Sequence, residues 1–437
     1  MVSAKIGWMI QVLFALTLLG QSSKPTTLIT PPFTHDMGFH RASKFYMDMY
    51  LGKEFRYNEP EGLAVEKMKV DDDTTTSRDD HILALFGVNS GSGQVLYNVM
   101  LKKLGTFGKT GTGDGEFLNP HGIAVLRDGA VYVADTDNDR LVALRYTGKG
   151  LEFVRNLTGL GRPYGVAVDS RGQVYVTEQD SGRVTVMDSL GNRLTAWRGL
   201  EGPTAIAVID SQMRHNYYAG SFAVVIDRSG QRLSKYLLSG DFVGSTDART
   251  IGLSRADFAY CAIDYFSGVF VTDRLNDQVH KFDANLNFLT SFGETGSGEG
   301  QFRSPRGIAI GRQFGQVFLS EAEGGQYYWT GVDAYMLGCF PETFDERQGG
   351  VTIAMYLTET ADLTITILNK KKEVVRSLYP SDTRERAGEL LVVWDGRDNF
   401  GAPVKAGDYR IQVVLKPGHG GSRSFLRKEL SARVKKV

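Results

Sequence analysis

Cysteine is nearly absent: Cys261 and Cys339 are the only two in 437 residues. That excludes a disulfide-stapled scaffold and a four-cysteine zinc site. One bridge between the two stays open on arithmetic alone, but the strand-like surroundings of Cys261 read as those of a buried free thiol. An excess of either charge is also missing. Lysine plus arginine and aspartate plus glutamate each number 50, so no global field draws in nucleic acid, and none is expected as a partner. Proline is scarce at 12, and the composition excludes collagen, a disordered tail and a coiled coil. No apolar run reaches the roughly 20 residues of a membrane-spanning helix. What is abundant is glycine, at 51 residues, together with 24 Phe, 19 Tyr and 4 Trp spread along the chain. That profile suits many short strands joined by tight turns.

The longest apolar stretch, residues 6–20, follows Lys5 and precedes small and polar residues. One positive charge, a short hydrophobic core and a small-residue exit describe a secretory signal peptide over residues 1–22. The mature chain is then expected outside the cytoplasm, with no membrane span.

An internal repeat organises the middle of the chain. A turn feeding a short apolar strand appears as Pro60-Glu61-Gly62-Leu63-Ala64-Val65, Pro120-His121-Gly122-Ile123-Ala124-Val125, Pro163-Tyr164-Gly165-Val166-Ala167-Val168 and Pro305-Arg306-Gly307-Ile308-Ala309-Ile310. Degraded copies are Pro203-Thr204-Ala205-Ile206-Ala207-Val208 and Phe258-Ala259-Tyr260-Cys261-Ala262-Ile263. The anchor positions 62, 122, 165, 205, 260 and 307 lie 60, 43, 40, 55 and 47 residues apart. A second phrase follows the good anchors, as in Val131-Tyr132-Val133-Ala134-Asp135 leading to Arg140-Leu141-Val142-Ala143-Leu144. Period-two alternation with Gly, Asn and Asp at the turns reads as four short strands per unit. Six such units predict an all-β, six-bladed β-propeller.

The stretches TFGKTGTGDGEFLNP (106–120) and SFGETGSGEGQFRSP (291–305) share eight identities without a gap. With this Gly-rich loop, the Phe-x-x-Pro-x-Gly entry and the Val-Ala-Asp-x-x-Asn-x-Arg hairpin at 133–140, residues 60–335 resemble the NHL-repeat family of propellers. Blade one carries a charged insertion at 66–80. Blade four lacks the acid-bearing hairpin and reads Asn216-Tyr217-Tyr218-Ala219-Gly220-Ser221 instead.

Further on, Trp394-Asp395-Gly396, a turn, Gly401-Ala402-Pro403-Val404 and Gly407-Asp408-Tyr409 resemble the Ig-like domain of the FlgD-like family, with Trp394 and Tyr409 as core anchors. That family's spread implies a bacterial source and a β-sandwich, and similar sandwiches serve elsewhere as sorting domains. Residues 422–437 hold six basic residues and one acid, which reads either as a last strand or as a recognition tail.

Tempting motifs dissolve on inspection. Gly108-Lys109-Thr110 lacks the upstream glycine of a phosphate loop, because position 103 is Lys103. Asp135-Thr136-Asp137-Asn138-Asp139 lacks the sixth-position glycine and the twelfth-position Glu of a calcium loop. Its repeat partners Glu178, Asp273 and Glu321 make it a hairpin cap or an inter-blade hydrogen-bond acceptor. The residues before the anchor positions form a ring at one mouth of the channel: Glu61, His121, Tyr164, Thr204, Ala259 and Arg306. Peptide-amidating lyases, whose propellers are NHL-like, place zinc-binding histidines at this offset in three blades. Here only His121 is present, and a zinc site needs about three protein ligands.

Accordingly no catalytic residue, metal or cofactor is expected. Glu61, His121, Tyr164 and Arg306 are the candidate ligand-binding rim, and the partner expected is a protein or glycan at the cell surface. The alternative is an extracellular propeller enzyme of lyase or lactonase type. The domain map runs 1–22 signal peptide, 23–59 N-terminal segment, 60–337 propeller and 338–437 Ig-like sandwich, in a monomer. Residues 45–51, Phe45-Tyr46-Met47-Asp48-Met49-Tyr50-Leu51, are expected to pair as a strand onto blade six and close the ring. The rim side chains are expected to be exposed enough for joint alanine replacement to leave folding intact.

Overall fold

The structure, a computed structural model, describes residues 27–31, 40–52, 54–73, 75, 82–345, 349–418 and 427–437. The expected signal peptide lies outside these residues. The chain is all-β and divides into two compact units, one spanning Thr30–Trp329 and the other containing Thr330–Val437. No helix among the described residues is long and apolar enough to cross a membrane.

The first unit is a propeller of antiparallel sheets. Five have four strands each, and their first strands are Pro60–Glu66, Pro120–Val125, Pro163–Val168, Ile206–Ile209 and Phe258–Ile263. A further sheet begins with Ile308–Gly311, continues through Gln316–Glu321 and Gly324–Thr330, and gains Arg41–Ser43 as an antiparallel partner of Gly324–Thr330. Numbering the sheets one to six in this order, each first strand touches the next, and that of sheet six touches that of sheet one. Both faces of a sheet are therefore covered, so its strands are apolar on both sides. In sheet two, Val131 and Val133 join a core with Phe86 and Val95 of sheet one, while Tyr132 and Ala134 join one with Val174 and Val176 of sheet three.

Close approach of first strands explains the anchor glycines. A Cβ on Gly165 would lie 2.5 Å from the Thr204 carbonyl oxygen, and one on Gly307 would lie 2.3 Å from the Glu61 carbonyl oxygen. A hydroxyl reinforces three of these approaches. Ser320 Oγ accepts the Gly307 N–H at 2.8 Å and donates to the Glu61 carbonyl at 2.9 Å. Thr272 accepts the Tyr260 N–H at 3.0 Å and donates to the Arg306 carbonyl at 2.6 Å. Thr177 accepts the Gly165 N–H and donates to the Thr204 carbonyl.

Residues 45–51 are not the closing strand. Lys44–Leu51 is a helix, ended by Gly52 at φ 95°, whose N–H donates to the Asp48 carbonyl. Met, Leu and Asp without a β-branched residue favour the helix over a strand. Short strands ahead of the helix, among them Arg41–Ser43, pair onto sheet six instead. Arg41 also donates to Glu321 at 2.9 Å. Sheet four does carry an acid-bearing hairpin: the chain between Ile209 and Phe222 is lengthened, and Asp227 then pairs with Arg232 at 2.7 Å.

In the second unit a three-stranded sheet (Ala334–Phe340, Val351–Leu357, Gly388–Trp394) faces a five-stranded one built around Ala361–Leu368, Gly407–Pro417 and Lys428–Lys436. The basic C-terminus is thus a last strand. Because Ala334–Phe340 is hydrogen-bonded into this sheet and Val332, Ala334 and Met336 join its core, the unit starts at Thr330, ahead of the boundary expected at 338. Trp394 is fully buried, packs edge-on against Tyr409 at 5.2 Å, and donates its indole N–H to the Arg397 carbonyl at 2.9 Å. The two cysteines are free and buried.

Two stability outcomes follow. Gly307→Ala forces a methyl against backbone at the closure between sheets six and one, and should cost about 1–3 kcal/mol in urea unfolding. Unaltered stability would show that the approach can relax. Trp394→Ala should cost about 3–5 kcal/mol, read on a 330–437 fragment. A fragment starting at 340 should be far less stable, having lost an edge strand.

Candidate functional site at the channel mouth

The ring expected from the repeat offset is built from first-strand entries, so each side chain is placed by a turn locked to its neighbour. Four aromatic or charged members converge. His121 stacks on Tyr164 with ring centroids 4.0 Å apart and planes at 28°. Arg306 donates through Nη1 to Glu61 Oε1. The two pairs meet at Tyr260, which lies 6.4 Å from Tyr164 at a 29° interplanar angle and faces the Glu61 carboxylate. Tyr260 was missed in the sequence. It occupies the anchor position that is Gly or Ala in the other five units, and that exchange of the smallest side chain for a phenol was the available signal. Thr204 and Ala259, the remaining ring members, bring no charge.

These side chains are less exposed than expected. Glu61 is 3% exposed and Tyr260 7%, and His121, Tyr164 and Arg306 are half-buried. Joint alanine replacement is therefore not innocuous, because losing Arg306 would strand the Glu61 charge.

Electrostatics at the mouth push acidities apart. Burial raises the Glu61 pKa above its ordinary value, opposed in part by the Arg306 charge, the nearby Tyr260 hydroxyl and the Arg274 charge. Burial, followed by the Glu61 charge, raises both Tyr164 and Tyr260. Burial lowers the pKa of His121 to about 4; a backbone hydrogen bond to Asn119 opposes this, and the Arg306, Arg162 and Arg274 charges add to it. The imidazole is accordingly neutral at pH 7. Its tautomer follows from its neighbour. Thr136 Oγ1 has one proton and donates it to the Pro163 carbonyl at 2.7 Å, so it accepts from His121 Nδ1 at 2.8 Å. Nδ1 is therefore a donor in this pairing.

Three polar atoms of the cluster are buried without a well-formed hydrogen bond: Glu61 Oε2, Tyr260 Oη and Arg306 Nε. The Tyr260 hydroxyl is near enough to bear on Glu61 but not aligned with it. Arg274, paired with Asp257 at 3.0 Å, brings a further charge to bear on Glu61, Tyr164 and Tyr260. It follows the hairpin acid Asp273, as Thr136 follows Asp135, so this offset also supplies the mouth.

The hairpin acids themselves are consumed by structure. Asp135 accepts from the Leu118 N–H, Asn138 and Arg140, and Glu178 from the Gly161 N–H, Arg183 and Thr185. Asp273 accepts from the Asp257 N–H, Asn276 and the fully buried His280. Among the described residues no group of three or more His, Cys, Asp or Glu could hold a metal ion.

Comparison with known proteins agrees with this architecture. Residues 342–418 match the family model of the FlgD Ig-like domain, and residues 117–144 match that of the NHL repeat. No curated protein matches the sequence. Among solved structures, a streptogramin B lyase aligns at 11% identity over 63% of this chain and 94% of that one, with a TM-score of 0.43. PorZ, described as an essential surface component of the type-IX secretion system of Porphyromonas gingivalis, aligns at 13% over 90% of this chain and 54% of that one, with a TM-score of 0.45. A luciferin-regenerating enzyme aligns at 11% over 66% and 94%, with a TM-score of 0.45. None of these likenesses assigns a function to this chain.

The His121 shift has a pH signature. An unfolded histidine takes up its proton near pH 6.5, whereas the folded one does so only near 4. Falling pH across that window loads the unfolded state alone, so the folded state should lose stability there. Glu61, shifted oppositely, contributes the reverse slope to wild type and variant alike. The difference between wild type and His121→Gln in urea midpoint should therefore change between pH 7 and pH 4.5, with wild type the more acid-sensitive. Parallel pH profiles would mean that the imidazole is not held neutral.

Proposed function

We propose that this is an exported bacterial envelope protein, a six-bladed propeller whose channel mouth recognises a glycan without chemical change. The Ig-like domain would serve as spacer, anchor or sorting element. The carrying observation is the set of buried, unmet polar atoms on Glu61, Tyr260 and Arg306. A buried donor or acceptor left unpaired costs about 1–3 kcal/mol, so such atoms in a concave mouth favour a ligand that completes them. An acceptor (Glu61 Oε2) lies beside donors (Tyr260 Oη and Arg306 Nε). A sugar's hydroxyls both donate and accept, and its C–H face suits the stacked rings of His121 and Tyr164. A protein loop is the other partner class and supplies this mixture less densely. The signal-like residues 1–22 support export.

The second reading, an enzyme of lyase or lactonase type, has one observation on its side. Glu61 is shifted up and His121 down in the same mouth, as for an acid and base pair. A glycan array with the purified mature chain tests the first reading. Tyr260→Phe keeps the ring and removes the hydroxyl, and His121→Leu keeps comparable bulk and removes both ring nitrogens; each should weaken capture about tenfold, the equivalent of one such hydrogen bond. Capture that both variants retain in full would move the site elsewhere. Mass spectrometry of the bound sugar, showing cleavage or elimination by wild type alone, would establish the enzyme instead.

A further inference from the structure

A second concavity lies apart from the ring of rim residues, between sheets one and six and beneath the helix Lys44–Leu51, and encloses about 180 Å³. Its walls include Leu63, Leu85, Leu96 and Phe318, and the helix covers it with Tyr46, Met47, Tyr50 and Leu51. Among the described residues no charged side chain lines it. Three of the polar side chains that reach it are engaged with protein: Ser320 spans the Gly307 N–H and the Glu61 carbonyl, Gln326 donates to the Gln301 carbonyl and Glu321, and Tyr57 donates to the Gly324 carbonyl at 2.6 Å.

We propose that this cavity is a binding site for a small uncharged molecule with one aromatic or alicyclic ring. Three observations choose that occupant. Water needs two to four polar partners and is poorly served here, whereas a dry apolar cavity of about 150 Å³ holds a benzene ring. The absence of charged lining disfavours an ionic ligand, whose desolvation nothing would offset. The helix overhangs part of the site, and a space of about 180 Å³ suits one ring rather than a macromolecular segment. None of the eight helix residues is fully buried, so the cover can settle onto a guest without displacing packed core. The loose cover also leaves Phe45 70% exposed, and Met49 and Tyr50 about half exposed.

Toluene is the probe, titrated into the full mature chain and followed by thermal unfolding. A saturable rise in Tm is expected for wild type. Gly87 lies on the cavity wall, and a Cβ there meets only the tip of Leu63 within 4 Å. Gly87→Leu should therefore fill the space and abolish the rise. Leu104→Ala should enlarge the cavity and allow naphthalene to give a saturable rise that it does not give with wild type. The site is overturned by no saturable shift in wild type, by an equal shift in folded Gly87→Leu, or, if that variant fails to fold, by a Leu104→Ala protein indifferent to naphthalene. Glycan capture by Gly87→Leu should equal that of wild type, so absence of a toluene shift in wild type overturns the cavity and leaves the channel-mouth reading standing.

Discussion

The propeller depends on one short backbone approach, repeated around the ring, between the anchor position of one first strand and the rim carbonyl of the next. At Gly165 and Gly307 the gap is too narrow for a Cβ. At Thr177, Thr272 and Ser320 a single hydroxyl both accepts the anchor N–H and donates to the neighbouring carbonyl. The carbonyls so held belong to Thr204, Arg306 and Glu61, residues of the rim itself. Fixing the ring therefore also fixes the backbone from which the mouth side chains project. A binding cluster on such a frame begins close to its working geometry, which reduces the ordering cost of recognition.

The same frame accounts for the burial of Glu61. Its main chain is clamped between sheets one and six, so its carboxylate is carried out of bulk water whether or not a partner is present. Arg306, from the adjoining blade, supplies the charge that makes this tolerable. A buried ion pair of this kind adds little net stability compared with an apolar pair, and its removal by halves is costly.

Legibility in the sequence follows the range of the interaction. Strand alternation, turn glycines and the hairpin acid with its arginine five residues on are local, and they recur, so the propeller and the Trp394–Tyr409 core could be read directly. The offset logic also brought Glu61, His121, Tyr164 and Arg306 into one ring, though not their pairing across blades. What escaped were exchanges at positions where the repeat is degraded. Tyr260 replaces an anchor glycine and becomes the centre of the cluster. Arg41, from the N-terminal segment, supplies to Glu321 the guanidinium that sheets two to four draw from Arg140, Arg183 and Arg232 within their own hairpins. Helix or strand at 44–51 was decided by local propensity over an apolar run that fits both periods. The start of the second unit at Thr330 depends on a pairing, Ala334–Phe340 with Val351–Leu357, that no local pattern announces.

Two populations of buried carboxylate separate structure from function in this molecule. Asp135, Glu178 and Asp273 lie at one offset and each accepts several hydrogen bonds from its own sheet or inter-sheet loop. Hydrogen bonds from Arg183, Thr185 and the Gly161 N–H more than offset burial and hold Glu178 below its ordinary pKa, and those from His280, the Asp257 N–H and Asn276 do the same for Asp273. Asp135 is the exception, with burial outweighing its partners, yet it too is fully engaged. Glu61 occurs once, at a different offset, with one oxygen paired to Arg306 and the other unmet. An acid repeated in several blades and saturated by its own sheet and the loops beside it is a fastener of the fold. Glu61 appears once, is only half satisfied, and faces a phenol and an arginine, and that difference is what the proposed recognition role rests on.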